Sequence, residues 1–345
     1  TGLRFRVGNG NTLSIDNISI VEVIDATNIP RIDYTDGTAS ILLEPQSTNL
    51  LPDSEDFTQW SDAGILTKTE NYSLSPSGEV NATRLQWSSG TNFTFESVSH
   101  VGSDFTISIY MKSNTSVSQS VNLFMDNNAQ NKGMLVTTEW QRFEFTNTSI
   151  PTQSNRNAGL ISSNIQVGDL DISIWGAQFE ALPYTTSYIP TNGAIATRLG
   201  DSVTGAGDAT TFNSTEGVLY FEGKRLSLLG SKRTISISDG TLNNYLYMQF
   251  TGVSNTLRIF YKSVENGQVL ILNHNLTSAI EFGKYAFKWS ENNFSLWVNG
   301  VKELEQLSGS TTSSNVFNQA DFSLSNGADE FTGKIKSVIT FDTAL

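Results

Sequence analysis

At 345 residues with 38% apolar content and 27 glycines, the chain is long enough for two ordinary domains and too apolar to read as disordered. A net charge of −13 repels phosphate backbones and anionic headgroups, and no run reaches the roughly 18–20 apolar residues of a membrane span, so neither nucleic acid nor membrane insertion is expected. No cysteine is present, which excludes disulfides, thiolate catalysis and cysteine-based zinc sites; only 16% of residues are charged, leaving solubility to Asn, Ser and Thr.

The chain starts at Thr1 rather than Met, which reads as a piece of something longer. In residues 1–24, Val7-Gly8 leads into Leu13-Ser14-Ile15-Asp16-Asn17-Ile18-Ser19-Ile20, the closing strands of a sandwich whose body lies upstream. The same rhythm recurs at Val167-Gly168 before Leu170-Asp171-Ile172-Ser173-Ile174, and from Gly333 to Phe341. Residues 25–52 carry Asn28-Ile29-Pro30, Asp36-Gly37 and Glu44-Pro45 among short apolar patches, a structured connector rather than a flexible linker.

From 53 to 198, period-2 alternation dominates: Phe105, Ile107, Ile109 and Met111, then Phe143 and Phe145, then Ile172 and Ile174. A break falls at Pro190-Thr191-Asn192-Gly193. Residues 201–345 resume with Val218-Leu219-Tyr220, followed by Leu257, Ile259 and Tyr261, and by Phe294, Leu296 and Val298 before Asn299-Gly300, a type I′ hairpin signal. No stretch of a dozen residues has helical periodicity. The fold class expected is all-β, with tandem antiparallel β-sandwiches.

Several phrases belong together. Ile29 to Gly37, Leu42-Leu43-Glu44-Pro45-Gln46-Ser47-Thr48-Asn49-Leu50, Ser54-Glu55-Asp56-Phe57 and Trp60 form one group; Thr137 to Phe143, Ile174-Trp175-Gly176-Ala177-Gln178-Phe179-Glu180 and Thr186-Ser187-Tyr188-Ile189-Pro190-Thr191 continue it. Over residues 25–198 this set resembles a module of phage tail fibres and spikes, similar to the carbohydrate-binding jelly rolls appended to polysaccharide-degrading enzymes. Residues 201–345 resemble a laminin-G or concanavalin-like sandwich through Phe294 to Gly300 and the Gly333 to Phe341 run. The resemblance implies a non-catalytic virion adhesin, at the virion surface or otherwise extracellular, that binds host-surface polysaccharide or glycan. It also implies a homo-oligomer, trimers being common among such fibres. Two alternatives stay open: a carbohydrate-targeting module of a secreted enzyme, and a purely structural virion decoration protein.

His100 and His274 fall in different expected domains, so neither a Ser-His-Asp triad nor a multi-histidine metal site is supported. Glu303 and Glu305 share a strand face but read as a solvated edge, not as the paired carboxylates of a hydrolase. No catalytic residue is assigned. A sugar ring offers a face of C–H bonds that stacks on Trp or Tyr. Strand parity puts Tyr110 and Trp297 opposite the apolar set, along with either Tyr245 and Tyr247 or their neighbours Leu246 and Met248. Trp60 and Trp140 are expected to plug core ends. The ion such sandwiches would take is Ca2+, with Asp169 and Asp171, or Asp329-Glu330, as candidate ligands, although the spacing suits ordinary turn acids better.

Overall fold

The computed structural model describes residues 31–344 apart from 89, 103, 126–129, 149–154, 163–167, 229–231 and 253–254. The strands expected in residues 1–24 lie outside the described residues. Phe105–Ser113 shows how alternation becomes a layer: Phe105, Ile107, Ile109 and Met111 are buried in one core, while Tyr110 and Lys112 face outward. Among the described residues there is no α-helix, only a 3-10 turn at Phe57–Gln59.

Two antiparallel sandwiches result. In the first, one sheet runs Gln141–Asn147, Phe105–Ser113, Leu170–Glu180, Val80–Trp87, Leu66–Leu74. Its facing sheet runs Gln130–Val136, Gln119–Met125, Asn155–Ser162, Phe93–Ser99, Ser61–Ala63, and side chains such as Leu85, Ile109, Leu123, Leu160 and Ile174 fill the space between. In the second, a five-stranded sheet runs Gln268–Asn275, Thr256–Ser263, Tyr245–Phe250, Arg233–Ser238, Gln319–Asp321. Opposite lies a seven-stranded sheet in the order Arg31–Asp33, Ser40–Leu43, Gly333–Phe341, Gly217–Arg225, Gly283–Ser290, Asn293–Val298, Val301–Gln306. Asn299 and Gly300 take φ of 51° and 86°, the two positive values that a type I′ turn needs.

The Arg31 to Leu43 hairpin is therefore part of the second sandwich, although it precedes the first in sequence. Ile41 pairs with Ile335 and Leu43 with Gly333. Lys334 Nζ clamps the hairpin by binding Asp33 at 2.9 Å and Asp36 at 3.0 Å, and Lys224 Nζ binds Asp36 at 3.0 Å.

Leu43 lies in the second core and Leu50 in the first, so the chain changes sandwich across Glu44 to Asn49. Glu44 is 2% exposed. Its N–H donates to Asp201 Oδ2 at 2.8 Å and its carbonyl accepts from the Asp201 N–H at 2.9 Å. Its carboxylate accepts from Arg31 at 2.5 Å and from the Ser187 N–H at 2.7 Å, with Arg198 Nη2 at 3.5 Å. Burial pushes the Asp201 carboxyl above its ordinary range, against the pull of Arg31 and Arg198.

One end of the first sandwich breaks the apolar pattern. Lys68, its side chain 7% exposed, donates to the Phe57 and Trp60 carbonyls at 2.6 and 3.2 Å and pairs with Asp62 at 2.7 Å. On the opposite sheet, Glu96 shares the inward parity of Thr94 and Val98, and its Oε2 is buried without a hydrogen-bond partner. Burial, aided by the Asp53 charge and opposed by Lys68, pushes the Glu96 carboxyl up to about 7.

Two outcomes follow for stability. Removing one member of a buried charge cluster leaves the others uncompensated, so Glu44→Ala is expected to destabilise the protein by about 3–5 kcal/mol in denaturant unfolding. A folded-state value above the ordinary 4.5 means that protonated Glu96 favours folding; this contribution is complete below 4.5 and lost as pH rises through about 7. Glu96→Gln should therefore stabilise the first sandwich by about 1–3 kcal/mol at about pH 8.5 and change little at about pH 4, a pH-dependent gain in denaturation midpoint.

Candidate functional site

The outward aromatics occupy three separate places. Tyr110 stands on the outer face of the first sandwich, its ring 5.4 Å from Trp175 and under the Arg142 guanidinium at 5.5 Å; Trp175 in turn meets Tyr188 at 4.8 Å. The strand bulges between Trp175 and Gln178, where Gly176 takes φ of 63° and a Cβ would meet the Tyr110 and Tyr188 rings at 3.3–3.4 Å. Tyr110 is thus half-buried in a packed cluster, and its ring face is engaged.

For the second place, parity is resolved in favour of the tyrosines: Leu246 and Met248 enter the core, while Tyr245 and Tyr247 lie on the outer face. Both stack on Phe260, at 5.0 and 4.8 Å, and Tyr247 is only 7% exposed. Their faces are largely spent on one another.

Trp297 differs. It is 39% exposed on the outer face of the seven-stranded sheet, with Phe341 at 40%. Cross-strand pairing sets Tyr220 against Ala286 and Ala286 against Trp297, so two aromatic side chains flank a methyl group. Val218 pairs with Phe341 on one side and Lys288 on the other. The result is a groove of about 350 Å³ lined by Val218, Tyr220, Ala286, Lys288, Trp297 and Phe341. Polar groups sit at its margins. The Tyr220 hydroxyl donates to Glu222 at 3.1 Å, and the Trp297 indole N–H donates to Ser295 Oγ at 3.3 Å. Burial and the Glu222 carboxylate both raise the Tyr220 phenol above its ordinary value, so it stays a neutral donor. Chemically, such a groove takes a flat, partly apolar ring and offers hydrogen bonds at the rim.

Other expected residues fall elsewhere. Trp140 does not plug a core: it lies outside, beneath the outward-facing Lys112 at 5.2 Å, with its indole N–H on the Leu74 carbonyl. Trp60, in contrast, is buried at 3%. Asp171 receives the Arg84 guanidinium at 2.8 and 2.5 Å and the Asn114 amide at 2.9 Å, contacts that hold its carboxyl below the usual range. Asp169 is exposed. Asp329 bonds to Gln249 at 3.2 Å. Among the described residues, no three His, Asp or Glu side chains converge as a metal cluster. His100 packs edge-on against Phe105 in the first sandwich, whereas His274 lies 3.8 Å from Glu303 in the second.

Tyr220, Ala286, Lys288 and Phe341 were not singled out in the sequence. Val218-Leu219-Tyr220-Phe221 is apolar at every position, so alternation does not reveal which face is outward; only the pairing with Gly283–Ser290 and Gly333–Phe341 does.

No protein-family model matches the chain, and no curated protein does. Among solved structures, the Ruminococcus gnavus IT-sialidase CBM40 bound to α2,3-sialyllactose overlaps at 13% identity with a TM-score of 0.35, covering 42% of this chain and 90% of that one. Sheep galectin-11 in complex with glycerol overlaps at 14% identity and a TM-score of 0.27, covering 41% and 95%. The mouse laminin α1 chain domains LG4-5 overlap at 8% identity and a TM-score of 0.29, covering 71% and 85%. All three overlaps are partial, so the case for function is carried by this chain's own side chains.

If the groove is a surface feature rather than part of the core, Trp297→Ala should change stability by no more than about 0.5 kcal/mol. Phe294→Ala, three positions earlier and fully buried, should cost about 3–5 kcal/mol. Denaturant midpoints of the two variants check this.

Proposed function

We propose that this protein is a non-catalytic glycan-binding protein, and that the Trp297 groove is its principal contact. The observation that carries this reading is the exposed indole set across Ala286 from Tyr220 in a groove whose lining includes no Asp or Glu. A pyranose would lay its C–H face on Trp297, while Lys288 and the Glu222-bound Tyr220 hydroxyl meet its oxygens. Tyr110, Tyr245 and Tyr247 would be secondary contacts, offering edges and hydroxyls rather than open ring faces.

Display on a phage fibre, in a homotrimer at the virion surface, is the finer form of this proposal and rests on the sequence resemblance of residues 25–198. In that setting several weak sites presented together raise avidity without new contacts. A glycan array and host-cell binding, run with the unaltered chain and with Trp297→Ala, test the proposal. Retention should fall at least about tenfold in the variant, equivalent to about 1.4 kcal/mol. Absence of retention by the unaltered chain on any glycan or host cell, or cleavage of a polysaccharide by it, would overturn the reading.

A further inference from the structure

The irregular end of the first sandwich opens into a cleft of about 410 Å³ lined by Glu55, Asp56, Glu70, Asn81, Thr83 and Asn192. Part of its wall is inward-facing strand: Asn81 and Thr83 continue the parity of Leu85 and Trp87, which enter the core, while Glu55, Asp56 and Asn192 come from outside the strands and Glu70 is exposed where the neighbouring strand shifts register. Inward polar groups in a sandwich disfavour folding unless they are satisfied.

Here satisfaction is incomplete. Thr83 is 2% exposed, and its hydroxyl takes part in no hydrogen bond among the described residues. Asn81 gives its amide to Glu55 at 3.0 Å, but its Oδ1 is buried without a partner. Glu55 also accepts from the Tyr188 hydroxyl at 2.9 Å. Asp56 accepts from Thr58 and Gln59, and the Glu70 carboxyl at the mouth lies within hydrogen-bond reach of it. Lys68, the nearby cation, is already held by Asp62 and two carbonyls.

The cleft therefore presents negative charge with no cation among its lining residues, beside the Thr83 hydroxyl and the Asn71 and Asn192 amides, which both donate and accept. A ligand that fits must donate hydrogen bonds and carry positive charge. A metal ion is the poorer fit, because no three acidic or histidine side chains converge among the described residues. An ammonium group, whose three N–H bonds diverge from one nitrogen toward acceptors about 2.7–2.9 Å away, suits carboxylates that do not close into a metal shell. The volume lies near the lower end of the roughly 300–1,000 Å³ of small-ligand sites, enough for about one saccharide unit.

We propose that this cleft binds an amino sugar, its free ammonium between Glu70, Asp56 and Glu55 and its hydroxyls on Thr83 and Asn192. The site is on the other sandwich from the Trp297 groove and holds whether or not that groove binds glycan. Isothermal titration of the whole chain with glucosamine, N-acetylglucosamine, glucose, an Nα-acetyl-lysine amide and Ca2+ tests it. Glucosamine should bind; acetylation of its nitrogen and Glu70→Gln should each weaken binding at least about tenfold. Thr83→Val should weaken it several-fold. Equal binding of the acetylated or uncharged sugars, no binding of glucosamine, equal or tighter binding of the lysine amide, or displacement by equimolar Ca2+ would each overturn the proposal.

Discussion

The chain's crossing between the two sandwiches centres on Glu44. Leu43 belongs to one core and Leu50 to the other, so the intervening backbone leaves both sandwiches and finds its partners in a short ladder of Ser47–Asn49 with Ala196–Arg198 and in side chains at the seam. Asp201 supplies a two-bond clasp to the Glu44 backbone, Arg31 and Arg198 balance the two buried carboxylates, and Ser187 ties in the loop that returns from the first sandwich. Glu180 repeats the device one layer on, accepting from Ser47, Thr186 Oγ1 and the Thr186 N–H.

That seam explains why the recognisable phrases of the sequence cluster as they do. Leu42 to Leu50, Trp175 to Glu180 and Thr186 to Thr191 are far apart in the chain but converge here. Asn49 Nδ2 reaches the Ala177 and Ile189 carbonyls, Gln178 Oε1 takes the Ile189 N–H, and Ser54 takes the Thr191 N–H. These phrases thus build a joint. Ligand contact is a separate matter, decided on the outer faces.

Strand existence was readable wherever one face is buried and the other wet, as in Phe105 to Lys112 or Phe294 to Val298, because period 2 then has only one solution. Trp297 was readable for the same reason. Its groove was not, since Tyr220, Ala286 and Phe341 sit on strands separated by dozens of residues and the register between them is a tertiary property. The hairpin at Arg31 to Leu43 was hidden for a related cause: its partner strand, Gly333–Phe341, lies at the far end of the chain. Trp140 misled because an indole can cover a lysine stem on the surface as readily as it fills a core.

The two sandwiches also differ in how faithfully they obey their own pattern, and the difference has meaning. The second keeps Leu219, Phe221, Ile259, Phe287, Phe294 and Leu296 inside and carries its aromatic groove on outward positions. The first places Lys68, Glu96, Asn81 and Thr83 inward at one end, next to a loop capped by the buried ring of Trp60. A sheet built for stability alone would put aliphatic residues there. Local departures from an otherwise consistent pattern persist where something other than stability is served, and here Asn81 and Thr83 line the cleft.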